Sequence, residues 1–147
     1  MTGLTASLRL LTSTLAMSLA MVPARARQPA LVPALALELN GAQPSEKGCR
    51  LTFVVNNNLG ADLFKAAFEI ALFNEAGGVD RLTVLDFKDL PVGKTKVTRF
   101  DLAGTDCAKV SRVLINSATE CAGTGVEPNA CMRKLKTDTR TGIAFGV

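Results

Sequence analysis

Between residues 64 and 74 the side chains alternate with a period of two. Phe64, Ala66, Phe68, Ile70 and Leu72 fall on one side; Lys65, Ala67, Glu69, Ala71 and Phe73 fall on the other. Successive residues of an extended chain point to opposite faces, so this pattern fits a half-buried strand and not a helix. The same period recurs in residues 34–40 (ALALELN). It recurs again in 49–56, where Cys49, Leu51, Phe53 and Val55 share a face opposite Arg50 and Thr52. Further strands are expected at 81–87, 94–102 and 112–119, with one or two more in 132–147, where Ile143, Phe145 and Val147 share a face. In 94–102 the apolar residues are Val97, Phe100 and Leu102; the step of three predicts a bulge near Thr98. Cys107, Val110 and Leu114 have helical spacing, so a single helical turn is expected before the 112–119 strand.

Turn residues separate these segments. Residues 41–48 read as a loop and Asn56-Asn57-Asn58 with Gly60 as a turn. Gly77-Gly78 closes a hairpin and Leu90-Pro91-Val92-Gly93 forms a further turn. Seven or eight short strands divided in this way predict an all-β fold: an immunoglobulin-like antiparallel β-sandwich of about seven strands. After the leader described below, no helical period runs for 11 residues, which disfavours a parallel α/β fold. The expected core holds Phe53, Phe64, Phe68, Phe87 and Phe100.

The first 26 residues have another character. Arg9 is the only early charge, residues 10–24 carry none, and Ala24-Arg25-Ala26 follows Pro23. A basic start, an apolar stretch and an Ala-x-Ala site make residues 1–26 a cleavable signal peptide. Fifteen apolar-run residues fall short of the about 20 that a spanning helix needs, so no stable membrane span is expected after cleavage. No Cys lies near the cut, so a lipid anchor is not indicated. Residues 27–33 read as a linker and 34–147 as the folded domain. All 13 acidic residues survive cleavage, and 15 of the 17 basic ones do, since Arg9 and Arg25 leave. A net charge of +2 gives no reason to expect nucleic acid as a partner.

The cysteines agree with export. Cys49, Cys107, Cys121 and Cys131 all lie after the leader, and an even set in an oxidising compartment predicts two disulfides. Three pairings are possible. Cys121–Cys131 is preferred, because residues 122–130 hold two Gly and a Pro and turn back easily, leaving Cys49–Cys107. Each bridge is worth roughly 3–4 kcal/mol in the loop-entropy picture. A zinc site would need closer Cys pairs; the nearest pair here is ten apart, and His is absent.

Several runs carry a family likeness. Asn56-Asn57, Phe64, Phe68-Glu69-Ile70, Leu72 to Gly77, Leu90-Pro91-Val92-Gly93 and Phe100 follow one another in an order that resembles the FxLyD-type immunoglobulin-like extracytoplasmic domains. More closely, the mature region resembles a family of small proteobacterial exported proteins of no assigned activity. That likeness rests on Gly48-Cys49-Arg50, Leu114-Ile115-Asn116 and the four cysteines. Members are often labelled with a twin-arginine signal; Arg9 stands alone here, so the general secretory route is expected. The resemblance covers most of 34–147 and implies an extracytoplasmic sandwich, but no ligand, cofactor or catalytic residue.

Candidate sites are few. Gly93-Lys94-Thr95 looks like the tail of a phosphate loop, but Lys88 stands where that motif needs Gly, and a strand follows instead of a helix. Without His no Ser-His-Asp, Cys-His or His-metal arrangement can form. Asp80, Asp86, Asp89, Asp101 and Asp106 are the available carboxylates for an acid/base pair, and most fall at turns or strand ends. Ser111 and Ser117 have Lys109 and Arg112 nearby, without the spacing of a Ser–Lys mechanism. Cys121 and Cys131 lack the Cys-x-x-Cys spacing of a redox pair.

Two basic clusters remain: Lys94, Lys96 and Arg99, and Arg133, Lys134, Lys136 and Arg140. On neighbouring strands they would form a cationic patch for weak contact with anionic envelope components. Otherwise they are solvated edge positions. Phe73, with Ala67 and Ala71, marks a possible outward contact face.

The expected function is therefore a non-catalytic binding or assembly module of the cell envelope, periplasmic or secreted, without a cofactor and with another envelope protein as partner. The alternatives are an inhibitor or accessory subunit presenting the Cys121–Cys131 loop, and a His-free hydrolase.

Overall fold

In the computed structural model, Gly3 and residues 31–147 are described. Apart from Gly3, the leader at 1–26 lies outside the described residues, as do the first four residues of the linker. The alternating segments form eight strands: β1 (Ala34–Pro44), β2 (Gly48–Asn58), β3 (Leu63–Asn74), β4 (Val79–Leu90), β5 (Thr95–Ala103), β6 (Val110–Ala122), β7 (Leu135–Thr139) and β8 (Ala144–Gly146). A 3₁₀ turn at Cys107–Lys109 precedes β6, and a four-residue helix α1 (Ala130–Arg133) precedes β7.

The strands make two four-stranded sheets, in the orders β5-β2-β1-β7 and β4-β3-β6-β8. Strands one, two and five share a sheet, and strands three, four and six share the other. Two four-stranded sheets of this kind make the all-β sandwich that the alternation predicts. The sheets meet across one apolar core to which both contribute. Phe53 of β2 meets Phe87 of β4 at 5.5 Å and Phe145 of β8 at 5.5 Å. Phe87 also meets Phe68 at 5.9 Å and Phe100 at 5.0 Å. All these rings are edge-on, the favoured arrangement for aromatic quadrupoles.

Six expectations need correction. The sandwich is not wholly antiparallel: β7 runs parallel to β1, and β8 parallel to β6. The reason is the path after β6. The chain passes through α1, begins β7 beside the start of β1, with Leu135 opposite Leu35, and then moves to the other sheet through residues 140–143.

Phe64 is not in the core; it is 62% exposed, and Leu63 is buried in its place. The β3–β4 register shifts between Leu63 and Ala66, so strict alternation fails at the start of β3. No bulge occurs at Thr98, since β5 pairs with β2 without interruption from Gly48–Ala103 to Asn56–Thr95. Val97 lies on the outer face, 58% exposed, and Thr98 takes the inner place opposite Phe53. Val147 is likewise exposed, unlike Ile143.

Two loops proved shorter than expected. β1 continues to Pro44 past a register shift between Leu39 and Gly41. The three asparagines belong to β2, not to a turn. Asn57 is buried on the inner face. Its Nδ2 donates to the carbonyls of Ala61 (2.9 Å) and Leu90 (2.7 Å), and its Oδ1 accepts from Leu59 N–H (3.0 Å). Its own carbonyl accepts from Gly93 N–H at 2.7 Å. One buried amide thus ties the β2–β3 connection to the β4–β5 turn.

Candidate binding surface

The cysteines pair as the loop argument prefers. Cys49 joins Cys107 and Cys121 joins Cys131, with Cα–Cα distances of 5.0 and 5.9 Å. The first fixes the start of β2 to the turn before β6; the second fixes the end of β6 to α1. Two disulfides are characteristic of chains folded in an oxidising, extracytoplasmic compartment. No helix among the described residues is long and apolar enough to cross a membrane.

The basic clusters are not brought together. β5 and β7 are opposite edges of one sheet, about 14 Å apart at three strand spacings. Lys96 points across the open side of the sandwich, donating to the carbonyls of Phe87 (3.1 Å) and Asp89 (2.8 Å). Arg133 pairs with Glu127 at 3.2 Å and Arg140 with Glu38 at 2.9 Å. Lys94, Arg99 and Lys136 are exposed, and Lys134 is half-buried.

The carboxylates are dispersed as well. Asp101 accepts two hydrogen bonds from Arg50, at 2.9 and 3.0 Å, and these hold it below its ordinary value. Asp86 is lowered chiefly by the Lys88 ammonium and also by the Lys88 N–H. Glu38 is lowered first by Asn40, then by Arg140. Asp89 lies 3.5 Å from Lys96.

Asp80 and Asp106 do share a cleft of about 370 Å³, with Lys109 and Phe73, but Asp106 is engaged in capping the 3₁₀ turn through Ala108 N–H. The Ser111 hydroxyl bonds the carbonyls of Asn74 (2.6 Å) and Phe73 (3.2 Å). Among the described residues no group of three His, Cys, Asp or Glu side chains is placed to hold a metal ion. Gly93-Lys94-Thr95 is a turn entering β5, with Lys94 N–H bonded to the Pro91 carbonyl at 3.3 Å.

The distinctive surface is the outer face of the β4-β3-β6 sheet. Cross-strand register lines up its rows. Val79, Phe73 and Arg112 form one; Leu82, Ala71 and Leu114 the next; Val84, Glu69 and Ser117 the third; Asp86, Ala67 and Glu120 the last. The face thus grades from apolar to acidic. Val79, Leu82 and Val84 are 57%, 56% and 51% exposed. The Arg112 guanidinium lies 5.5 Å above the Phe73 ring, leaving the aromatic as part of a cation–π pair at the rim. Ala71 and Ala67 are buried between larger neighbours, which keeps the middle of the face low.

Periodicity singled out Phe73 with its alanines, and the structure supplies what it missed: Leu82 and Val84, which share a face only through their register with β3. β4 is also an edge strand. Between Arg81 and Asp86 it carries no charged side chain, whereas edges are usually guarded by Lys or other charges. Arg81 itself turns inward, donating to the Ala103 carbonyl at 2.7 Å and lying 3.2 Å from Thr105 Oγ1. Comparison with models of known protein families, with curated proteins and with solved structures finds no match to this chain.

Proposed function

We propose that the chain is a non-catalytic binding or assembly module of the cell envelope, exported to the periplasm or beyond with loss of residues 1–26. It docks another exported protein on the outer face of the β4-β3-β6 sheet. The observation that carries this reading is the exposure of Val79, Leu82 and Val84 along an edge strand, beside Phe73 and Leu114. Contiguous exposed apolar side chains with a polar rim are typical of protein-contact surfaces, and an open sheet edge adds backbone groups for a strand-like partner. Two disulfides and the leader-like sequence of residues 1–26 support the compartment.

The test is affinity capture from an envelope extract, comparing the exported chain with Leu82→Lys and Val84→Lys variants. A protein retained by the parent and lost from both folded variants is expected. An identical capture profile for all three would overturn this surface. Intact mass of the chain recovered from that fraction should correspond to residues 27–147 with both bridges formed. Retention of the leader would overturn the export reading.

A further inference from the structure

We infer that residues 127–147 are a detachable closing segment, clasped by the Cys121–Cys131 bridge, and that without this clasp two copies of the chain exchange it. The inference concerns the side of the sandwich away from β4 and does not rest on the docking face proposed above.

Little of this segment is core. Its buried residues are Ala130, Cys131 and Ile143, whereas β2 by itself buries Cys49, Leu51, Phe53, Val55 and Asn57. The less exposed positions of β7 are Leu135, Thr137 and Thr139, so two of its three sheltered side chains are polar. Segments with few buried apolar contacts open at lower free energy than the core. The segment also holds itself together. Thr141 N–H donates to Thr139 Oγ1 and Ile143 N–H to Thr141 Oγ1, both at 3.1 Å, and β7 and β8 lie against each other. Its ties to the body are two parallel edges, Leu35–Leu39 of β1 and Arg112–Leu114 of β6, with Phe145 against Phe53 and Arg140 on Glu38.

Those edges show which occupant they accept: this segment. A second copy carries the same residues, so each contact can be remade between chains, and reciprocal exchange closes a two-fold dimer. The hinge is the turn at 122–126. There Val126 N–H bonds the Gly123 carbonyl at 3.2 Å, and Gly125 has a φ of 73° with open space around it. Extended, five residues reach about 17 Å. The bridge opposes exchange, because it joins Cys121 before the hinge to the buried Cys131 after it. It thereby holds α1 on the β6 of its own chain.

The test removes the clasp by Cys121→Ala with Cys131→Ala in one chain, leaving Cys49–Cys107 intact, and circular dichroism checks the fold. Sedimentation equilibrium from about 1 µM to 1 mM should show this variant passing from monomer to dimer. Ala36→Cys with Lys136→Cys, which are cross-strand partners, reports whose β7 lies beside each β1. Non-reducing electrophoresis at the upper concentration should give a covalent dimer without the clasp and a covalently closed monomer with it. Links formed only within single chains, or equal dimer with and without the clasp, would overturn the inference. Hydrogen exchange of the bridged parent gives an independent reading. Peptides from 135–147 should exchange about tenfold or more faster than those of β2 and β3. Protection equal to those strands would overturn the inference even if the clasp-free variant does not fold.

Discussion

Asn57→Ala removes one side chain and strips three hydrogen bonds at once. Two are donated to the carbonyls of Ala61 and Leu90, and one is accepted from Leu59 N–H. Each is worth about 1 kcal/mol net, and the groups left buried without a partner add to the loss, so the expected cost is about 2–4 kcal/mol. The bond to Leu90 is the most sheltered of the three, and water cannot readily replace it.

Asn56 is the internal control. Its neighbouring amide lies on the outer face, where Nδ2 bonds Thr95 Oγ1 at 3.0 Å in an exposed setting. Asn56→Ala should cost about 0.5 kcal/mol or less, as surface changes usually do. Urea unfolding of the disulfide-intact chain should show a lower midpoint for Asn57→Ala with an unchanged slope. Its melting temperature should fall by roughly 10 °C. Asn57→Asp should cost at least as much at neutral pH, because a carboxylate cannot donate to two carbonyls. If Asn57→Ala and Asn56→Ala lie within about 0.5 kcal/mol of each other, the account of Asn57 as a lock between two connections is wrong.

The two bridges span 58 and 10 residues. Replacing Cys49 and Cys107 by Ala should cost about 4 kcal/mol, and replacing Cys121 and Cys131 about 3 kcal/mol, by urea unfolding. A larger loss from the short loop would contradict the loop-entropy ordering. Lys88 is the only non-glycine with positive φ (63°) among the described residues, so Lys88→Gly should stabilise by about 1 kcal/mol, while Lys88→Val should destabilise; calorimetry would distinguish them. Asp101, Asp86 and Glu38 all have folded values below their ordinary ones. Their contribution is therefore present above the unfolded carboxylate range near ~4 and is lost as pH falls through the folded values. Urea midpoints should be flat near neutrality and decline on acidification, and Arg50→Ala should make that decline shallower. An unchanged acid limb in the variant would remove Asp101 from the account.

Local alternation was enough to determine that this is an all-β sandwich with cross-linking cysteines. Side-chain direction in a strand is a property of neighbouring residues, so Leu51, Phe53 and Val55 declare their face without reference to any partner strand. The Cys121–Cys131 pairing was equally local, since loop length and turn residues favour its closure. Register belongs to the tertiary structure alone. Shifts along β3 expose Phe64 and bury Leu63, and uninterrupted pairing with β2 puts Val97 outside. Neither outcome follows from spacing within one strand.

The candidate surface divides in the same way. Phe73, Ala67 and Ala71 were readable as one face, but Leu82, Val84 and Leu114 joined them only when β4 and β6 paired on either side of β3. The burial of Asn57 between identical neighbours, and the parallel course of β7 and β8, arise from how distant segments meet. Hydrogen-bond partners 33 residues away and strands laid down last along the edges are supplied by the fold, and no local pattern in the chain records them.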